Sequence, residues 1–484
     1  MLACPSAVKP YNPRNPRKSQ YYRCVEAKFE ELERVWDERY QHKYGYWRPH
    51  VMDVIYKYLD CGDLHQGFAR VKCDDCNHEY LLPFSCKRRY FCPSCHQKRV
   101  VEFGEFLYEE VLCSVPHRQW VFSLPKRLRL YFLYDRSLLS KLSRCAWKVL
   151  SCYLTNSVSM SSSMPGAVIS VQTFGDFLNF NPHLHIISTD GCFNNDGSFM
   201  AAVTPNANHL EPLFRLEVLN MLKREGKITD AVIENMSTWH HSGFHVYCGD
   251  VIRPDDEEGL EHLAHYVIRA PISQERMIYI AASETPSGIA KVIYTGKNSR
   301  VREQFTALDW LARLVTHIPN KGEQLIRYYG FYSNKVRGVR KKAEALNAAA
   351  ENAKNQEISS PVLSVIENNL SRKAFRRNWA RLIQKVYHTD PLVCPKCNGN
   401  MKIIAFIEEE DTIRQILKHL GLWLPGNHDP PEQKTCPAGT QIFNMIEMDF
   451  DTSLQAIREE IIPQMPYEDD YSQITPYDDE CIGL

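Results

Sequence analysis

Two pairs of cysteines constrain the fold of this chain more than any other feature. Cys73-x-x-Cys76 is followed, after a spacer of fifteen residues, by Cys92-x-x-Cys95. This is the spacing of a structural zinc site closed by four thiolates, because each pair lets a tight turn direct two sulfur atoms at one ion. Two pairs of buried free cysteines are the alternative. We predict that Cys73, Cys76, Cys92 and Cys95 bind one structural Zn²⁺ ion.

Cations surround the second cysteine pair. They are Lys87, Arg88, Arg89, Lys98 and Arg99. A small zinc fold surrounded by positive charge is typical of proteins that contact the phosphate backbone of DNA. A solvated charged surface is the alternative. Cys86 and His96 lie in the same stretch and are spare candidates for a zinc ligand.

A second polar pattern lies in residues 172–188. His183 and His185 are two apart and therefore share one face of a strand, whereas Leu184 and Ile186 point to the other face. The preceding run 168–174 has the same period, so Gln172 can supply an oxygen ligand from a neighbouring strand if residues 176–182 form the turn. This set suits a divalent ion that polarises phosphate oxygens. Because the chain has 18 histidines, a His-x-His pair is expected roughly once by chance, and ordinary strand histidines are the alternative.

Composition favours an intracellular protein of several domains. The chain has 484 residues, of which 44% are hydrophobic, and its formal net charge is zero. Charge is nevertheless segregated, with basic runs near 14–18, 87–99, 126–129, 337–342 and 372–381 and an acidic end at 468–480. The basic helix start at 126–129 adds three candidate DNA contacts, Lys126, Arg127 and Arg129. The 17 cysteines are odd in number and partly in metal spacing, which indicates a reducing compartment. We find no apolar run of about 18 residues and no secretion signal, so we expect no membrane contact.

Periodicity divides the chain into five regions. We predict a disordered N-terminus over 1–20, a helical segment with a zinc module over 21–100, and a catalytic domain over 101–340. A basic helical linker over 341–385 and a C-terminal region over 386–484 with an acidic tail would follow. The fold class that we predict is α+β.

One segment is the expected source of a nucleophile. Residues 255–271 begin with acidic side chains and end at a proline, which predicts a single helix. His262 and Tyr266 are four apart and share a face of that helix. A tyrosine phenol beside a metal-bound phosphate can act as a nucleophile and form a covalent phosphotyrosine. A half-buried helix tyrosine is the alternative.

Several stretches resemble the HUH-type tyrosine transposases of the insertion-sequence ninety-one group, in particular its common-region (ISCR) branch. They are 61–73, 85–95, 172–185, 266–272, 327–332 and 394–401. The resemblance implies an antiparallel, ferredoxin-like catalytic sheet with the histidines on its central strand. It also implies a metal site at His183 and His185, for which we expect Mg²⁺ or Mn²⁺, and a nucleophile at Tyr266.

The resemblance further implies single-stranded DNA and element ends as partners and a cytoplasmic, nucleoid-associated protein in a prokaryote. Members with two catalytic tyrosines carry Tyr-x-x-x-Tyr on this helix. Here His262 takes the first position, so the chain fits the single-tyrosine pattern.

Other residues compete for these roles. A tyrosine-rich turn contains Tyr328, Tyr329 and Tyr332, which can stack on bases, pack in a core or supply a nucleophile. The cluster His240, His241 and His245 can ligate a metal or lie at the surface. Cys394-x-x-Cys397 resembles half of a second zinc ribbon, for which Cys436 is a possible third ligand.

We predict a transposase that nicks and rejoins single-stranded DNA at insertion-sequence ends by a rolling-circle-like route. A rolling-circle initiator or relaxase would use the same chemistry. The upstream zinc module and the lack of a Gly-x-x-x-x-Gly-Lys-[Ser/Thr] motif favour the transposase. A non-catalytic, zinc-dependent DNA-binding regulator is the alternative from another class.

Overall fold

A computed structural model describes a large part of the chain. The described residues are 16–88, 90–158, 163–194, 196–202, 207–256, 259–260, 263, 267–296, 301–355 and 391–423. Most of the predicted disordered N-terminus and most of the linker and acidic tail lie outside them. Four site candidates, Arg89, His262, Tyr266 and Cys436, also lie outside the described residues.

The protein has a mixed α/β structure with antiparallel sheets. The helices are α1 (Gln20–Arg39), α2 (Gln41–Tyr44), α3 (His50–Leu59), α4 (Pro93–Phe106), α5 (Lys126–Tyr134), α6 (Ser137–Asn156), α7 (Ala207–Arg224), α8 (Asp230–Ser237), α9 (Ala307–Val315), α10 (Asn334–Asn355) and α11 (Glu410–His419). The strands are β1 (Phe68–Cys73), β2 (Glu79–Pro83), β3 (His117–Ser123), β4 (Gly166–Phe174), β5 (Phe180–Thr189), β6 (Gly191–Phe193), β7 (Phe199–Ala201), β8 (His245–Ile252), β9 (Met277–Ile280), β10 (Lys291–Thr295), β11 (Arg302–Thr306), β12 (Ile326–Gly330) and β13 (Met401–Ile407). Within the described residues, no helix is both long and apolar enough to cross a membrane.

The largest sheet has five strands in the order β12-β4-β5-β3-β8. All four neighbouring pairs are antiparallel. Strand β5 is central, and its period of two separates the buried Leu184 and Ile186 from His183 and His185 on the opposite face. The two strands predicted around the histidines are therefore confirmed. We call the surface that carries these imidazoles the histidine face.

Different helices cover the two faces of this sheet. The apolar face packs with α5, α6 and α7 in one hydrophobic core. On the histidine face, Val168 and Ile187 pack with side chains of α4 and with Leu263 and Val267. Residues 259, 260, 263 and 267 are helical, as predicted for segment 255–271. Leu263 and Val267 of that segment therefore pack on the face that carries the histidines.

A second core joins the N-terminal helices to a distant part of the sequence. It contains residues of α1 and α3 together with strands β9–β11 and helix α9. Tyr21 of α1 and Trp310 of α9, for example, have ring centroids 5.9 Å apart. The predicted boundary near residue 100 did not anticipate this, because α9 buries its apolar side against a helix almost three hundred residues earlier.

Among the described residues there are two three-stranded sheets, β11-β10-β9 and β13-β1-β2. Strand β13 pairs antiparallel with β1, and Met401 lies opposite Cys73. Residues 401–407 therefore complete the N-terminal zinc module. The sequence had instead placed them in a C-terminal region of their own.

Candidate active site and metal centres

One cluster of four thiols joins the N-terminal module to the C-terminal cysteine pair. It contains Cys73, Cys76, Cys394 and Cys397. The two pairs form matching turns, because the backbone N–H of Cys73 donates to His78 and that of Cys394 donates to Gly399, each at 2.8 Å. The residue after each pair is an asparagine in the left-handed region, Asn77 with φ 57° and Asn398 with φ 59°. Asparagine tolerates this backbone conformation, so both turns can present two sulfurs to one side.

A second cluster of four thiols lies inside the N-terminal module. It contains Cys61, Cys86, Cys92 and Cys95. Cys92 precedes helix α4 and Cys95 lies in its first turn, with Pro93 at the first helical position. The positive end of the helix dipole favours thiolates at this position.

Both clusters fit a tetrahedral zinc ion. With Zn–S bonds of about 2.3 Å, the sulfurs of such a site lie about 3.8 Å apart. The Sγ atoms of Cys61 are 3.8 Å from Cys92 and 4.0 Å from Cys95, and Cys86 is 3.6 Å from Cys95. In the other cluster, Cys73 is 3.5 Å from Cys397 and Cys76 is 3.6 Å from Cys394. These separations are too long for disulfide bonds.

The prediction that Cys73, Cys76, Cys92 and Cys95 share one site is therefore wrong. Its two pairs belong to different clusters, because the first ends a strand that pairs with β13 and the second opens helix α4. The sequence does contain a signal that separates them. Both pairs of the first cluster read Cys-x-x-Cys-Asn, whereas Cys95 is followed by His96. Cys61 carries no such local signal.

The candidate catalytic ligands meet on the histidine face. Gln172 of β4 lies directly opposite His183 of β5. The imidazole rings of His183 and His185 have centroids 4.9 Å apart. Directly opposed residues of an antiparallel pair share a face, so the amide of Gln172 and the two imidazoles lie close together on the histidine face. A mixed donor set of this kind fits Mn²⁺ better than Mg²⁺, which prefers oxygen ligands.

Backbone carbonyls orient two of these ligands. Nδ1 of His183 lies 2.7 Å from the carbonyl oxygen of Asn181. A carbonyl only accepts, so Nδ1 carries the proton and the neutral ring has its lone pair on Nε2. Gln172 donates Nε2–H to the carbonyl of Val267 at 3.1 Å, which turns its oxygen away from Val267. Such bonds from outside the ligand set orient metal ligands.

Half of the histidine face is open to solvent. His183 is opposite Ser123 of β3, which is opposite His245 of β8. In the next row, His185 is opposite Val121, which is opposite Tyr247. Both outer side chains are exposed, and Tyr247 keeps 51% of its surface accessible.

Helix α4 also contacts the end of segment 255–271. The backbone N–H of Tyr90 donates to Nδ1 of His96 at 3.2 Å, and Nε2 of the same ring donates to the carbonyl of Ile268 at 2.8 Å. With Gln172 on Val267, two consecutive carbonyls after Tyr266 accept hydrogen bonds from other elements. His96 is thus used in hydrogen bonding and belongs to neither thiol cluster.

The three tyrosines near residue 330 have separate environments. Tyr332 is fully buried, its hydroxyl is 2.7 Å from Nε2 of His117, and burial raises its pKa. Tyr329 lies in the core on the other face, where its hydroxyl is 2.7 Å from that of Ser143. Tyr328 lies on the histidine face but opposite Val168, about 13 Å along the strand from Gln172. Burial raises the pKa of Tyr328 to about 12, although the guanidinium of Arg337 acts against this shift.

The predicted basic DNA contacts divide into exposed and internally bonded groups. Lys87 and Lys126 are exposed, and the exposed Arg127 donates to Oδ1 of Asn235 at 2.9 Å. Arg88 pairs with Asp53 at 3.1 Å, and Arg129 donates to the carbonyl of Leu124. The half-buried Lys98 and Arg99 lie on α4, and the Arg99 guanidinium lies 5.5 Å from the ring centroid of Phe103.

The histidines near residue 240 do not form a metal cluster among the described residues. His240 and His241 are exposed neighbours with ring centroids 4.4 Å apart. His245 lies two strands from His183.

Comparison with known proteins decides the class of protein. A family model described as "Transposase zinc-binding domain" matches residues 31–124, and one described as "Putative transposase" matches residues 166–340. The chain is an insertion-sequence transposase. The first match contains six of the eight clustered cysteines, and the second contains Gln172, His183, His185 and Tyr266.

Two curated relatives resemble this transposase. The "Transposase for insertion sequence element IS801" of Pseudomonas savastanoi pv. phaseolicola is 26% identical over 381 residues, which are 74% of this chain and 84% of the relative. The "Putative transposase y4qJ" of Sinorhizobium fredii (strain NBRC 101917 / NGR234) is 23% identical over 286 residues, which are 55% of this chain and 70% of the relative. No solved structure matches the chain.

Proposed function

We propose that this transposase nicks and rejoins single-stranded DNA at element ends, with Tyr266 as the nucleophile and a divalent ion at His183, His185 and Gln172. One observation carries the proposal. Gln172, a candidate ligand, donates a hydrogen bond to the carbonyl of Val267, the residue that follows Tyr266. This contact joins a candidate metal ligand to the residue that directly follows Tyr266 in the sequence.

The strand order supports a ferredoxin-like, HUH-type sheet. Strands β3, β4, β5 and β8 are the first to fourth of the motif in chain order, and their spatial order is second, third, first, fourth. Helices α5 and α6 connect β3 to β4, and α7 and α8 lie between β5 and β8. Apart from the hairpin β6-β7, which precedes α7, this order is the one expected of the β-α-β-β-α-β pattern of a split βαβ fold. Strand β12 adds an edge beside β4.

In the proposed reaction, the Tyr266 oxygen attacks the scissile phosphorus. A phosphorus–oxygen bond to the tyrosine forms and the bond to the 3′-oxygen breaks, which leaves a 5′-phosphotyrosine and a free 3′-hydroxyl. The phenol loses its proton and the leaving 3′-oxygen gains one. Attack by a 3′-hydroxyl on the phosphotyrosine reverses these steps and joins a strand. A divalent ion at the histidines, when bound, would withdraw charge from the phosphate oxygens.

The open half of the histidine face supports a single strand as substrate. Ser123, His245 and Tyr247 line it beside the candidate ligands, and the exposed Lys126 and Arg127 follow three and four residues after Ser123. An exposed aromatic ring suits stacking with bases, and exposed cations suit contact with a phosphate backbone. We infer that the strand passes over β3 and β8 to the metal site.

A nicking assay tests the proposal. A labelled single strand carrying an element end should be cut by the wild-type protein with Mn²⁺ or Mg²⁺ and should remain covalently attached. Tyr266→Phe should abolish cutting and the adduct while binding stays within a few fold, since only the attacking oxygen is removed. Peptide mapping of the adduct identifies the tyrosine.

Two further variants separate the metal from the nucleophile. His183→Ala and His185→Ala should each lose cleavage, and chelator should reproduce the loss in the wild type. An adduct on Tyr328, or full cleavage in chelator, would overturn the assignment. DNA binding that requires zinc, with no cleavage by any preparation, would instead favour the zinc-dependent regulator.

A further inference from the structure

We infer that Cys73, Cys76, Cys394 and Cys397 bind a second structural zinc ion, separate from the ion of the other cluster. The matched zinc-binding domain covers residues 31–124 and so contains only half of these ligands. The other half comes from beyond the matched transposase domain, which ends at residue 340. We call this group the composite site, and we call Cys61, Cys86, Cys92 and Cys95 the internal site.

The composite site has the geometry of two zinc knuckles that face each other. Its two turns share a Cys-x-x-Cys-Asn sequence, a left-handed asparagine and an equivalent backbone hydrogen bond. The Sγ distances between the turns, 3.5 and 3.6 Å, are close to the edge of a zinc–thiolate tetrahedron. Four thiolates close the coordination sphere, so this ion would stabilise structure and take no part in chemistry.

The ion would stabilise a small sheet that has few buried residues. Strands β13, β1 and β2 form three short strands around a small core of six buried residues. A sheet of this size has little apolar area to bury, so metal binding would supply much of its folding free energy. The cysteines that it joins are 318 and 324 residues apart. The composite site would therefore join β1, which precedes the transposase domain in the sequence, to residues 391–407, which follow it.

The two sites should differ in reactivity because their thiols differ in exposure to solvent. Cys76 and Cys397 of the composite site are exposed, whereas in the internal site Cys61, Cys92 and Cys95 are buried and Cys86 is half-buried. Chelators and thiol reagents reach exposed thiolates first. We therefore expect the composite site to release its zinc before the internal site.

Zinc analysis of purified full-length protein tests the inference. The wild type should contain two zinc ions per chain and release them to a chromogenic chelator in two phases. The double variant Cys394→Ser/Cys397→Ser should contain one and lose the fast phase. Cys86→Ser is the matched control, and it should lose the slow phase while retaining the fast one. Two ions in the double variant, or one ion in the wild type, would overturn the proposal.

Hydrogen exchange gives a second readout that does not depend on nicking. In the double variant, the amides of β1 and β13 should exchange faster, while those of α4, next to the internal site, should keep their wild-type rates. Should the variant misfold, cobalt titration of the wild-type apoprotein replaces it. Thiolate-to-cobalt absorption that saturates at two equivalents supports two sites, and saturation at one equivalent contradicts them.

Discussion

Three side chains around the proposed cleavage site are oriented by backbone carbonyl groups. His183 donates to Asn181, Gln172 donates to Val267 and His96 donates to Ile268. Each bond occupies one polar atom of its side chain and so determines where the other points. For His183, this places the proton on Nδ1 and the lone pair on Nε2. Tyr247 is different, because its ring is exposed at the open edge of the same face.

Tyr247 provides a test of the proposed single-strand path. Tyr247→Ala should weaken binding of single-stranded DNA by roughly 5- to 150-fold, since stacking of one base contributes about 1–3 kcal/mol. Tyr247→Trp should retain affinity because it keeps an aromatic face. Fluorescence anisotropy at one fixed salt concentration measures both variants. Tyr46→Ala is the control, because Tyr46 is 81% exposed and lies in the N-terminal module. Equal affinities for the two alanine variants would exclude Tyr247 from the path.

His117 predicts how the stability of the protein depends on pH. It is fully buried beside the hydroxyl of Tyr332, and burial lowers its pKa to about 4. The unfolded chain takes up a proton near pH 6.5 and the folded chain does not until about pH 4, so the free energy of unfolding falls as pH falls through this window. His117→Gln should be less stable at neutral pH. Its free energy of unfolding should, however, change less with pH, by up to about 1.4 kcal/mol per pH unit.

Denaturant titrations of both proteins at several pH values between 7 and 4.5 measure the effect. The dependence should not vanish in the variant, because buried His317, whose pKa burial lowers to about 3, acts in the same direction. Identical pH slopes for wild type and variant would show that His117 is not the responsible group.

At the scale of elements, helix α4 connects the internal zinc site to the proposed catalytic segment. Cys95 and His96 lie in its first turn, and its later residues Val100 and Phe103 pack against Val267 and Ile268. Contact between a metal-bound turn and the residues after Tyr266 means that the internal site can affect cleavage without touching DNA.

Replacement of His96 tests this connection. His96→Ala should lower the nicking rate by roughly 10- to 100-fold through misplacement of the nucleophile, with little change in DNA affinity. His96→Gln should recover part of the rate because an amide can also donate to Ile268. Single-turnover nicking together with binding measurements separates the two effects. Gln97→Ala, at the exposed next position, is the control. A His96→Ala variant with full zinc content that nicks like this control would contradict the role.

At the scale of the whole molecule, the cores are assembled from segments far apart in the chain. The N-terminal helices share a core with residues 272–318, and the zinc module takes its last strand from residues 401–407. The sequence order of modules is therefore not their spatial order. Within the described residues, the segments that precede and follow the transposase domain in the sequence meet at the composite site.

Local chemistry alone determined a large part of the site. The period of two on β5 placed both histidines on one face, and the acidic start and the proline of segment 255–271 predicted a helix. Each of these depends on residues within a few positions of one another, whose geometry is set by the backbone period. Gln172 was also predictable, because a short turn brings β4 beside β5.

Tertiary structure alone decided which cysteines share an ion. Cys-x-x-Cys specifies half of a site, and its partner half can lie at any separation because closing a longer loop costs only slightly more entropy. The choice between Cys92 and Cys394 as partners of Cys73 was made by the pairing of β1 with β13 and by the helix that starts after Cys92. The exposure of Tyr247 and the bond from His96 to Ile268 likewise depend on contacts between elements, which no local pattern encodes.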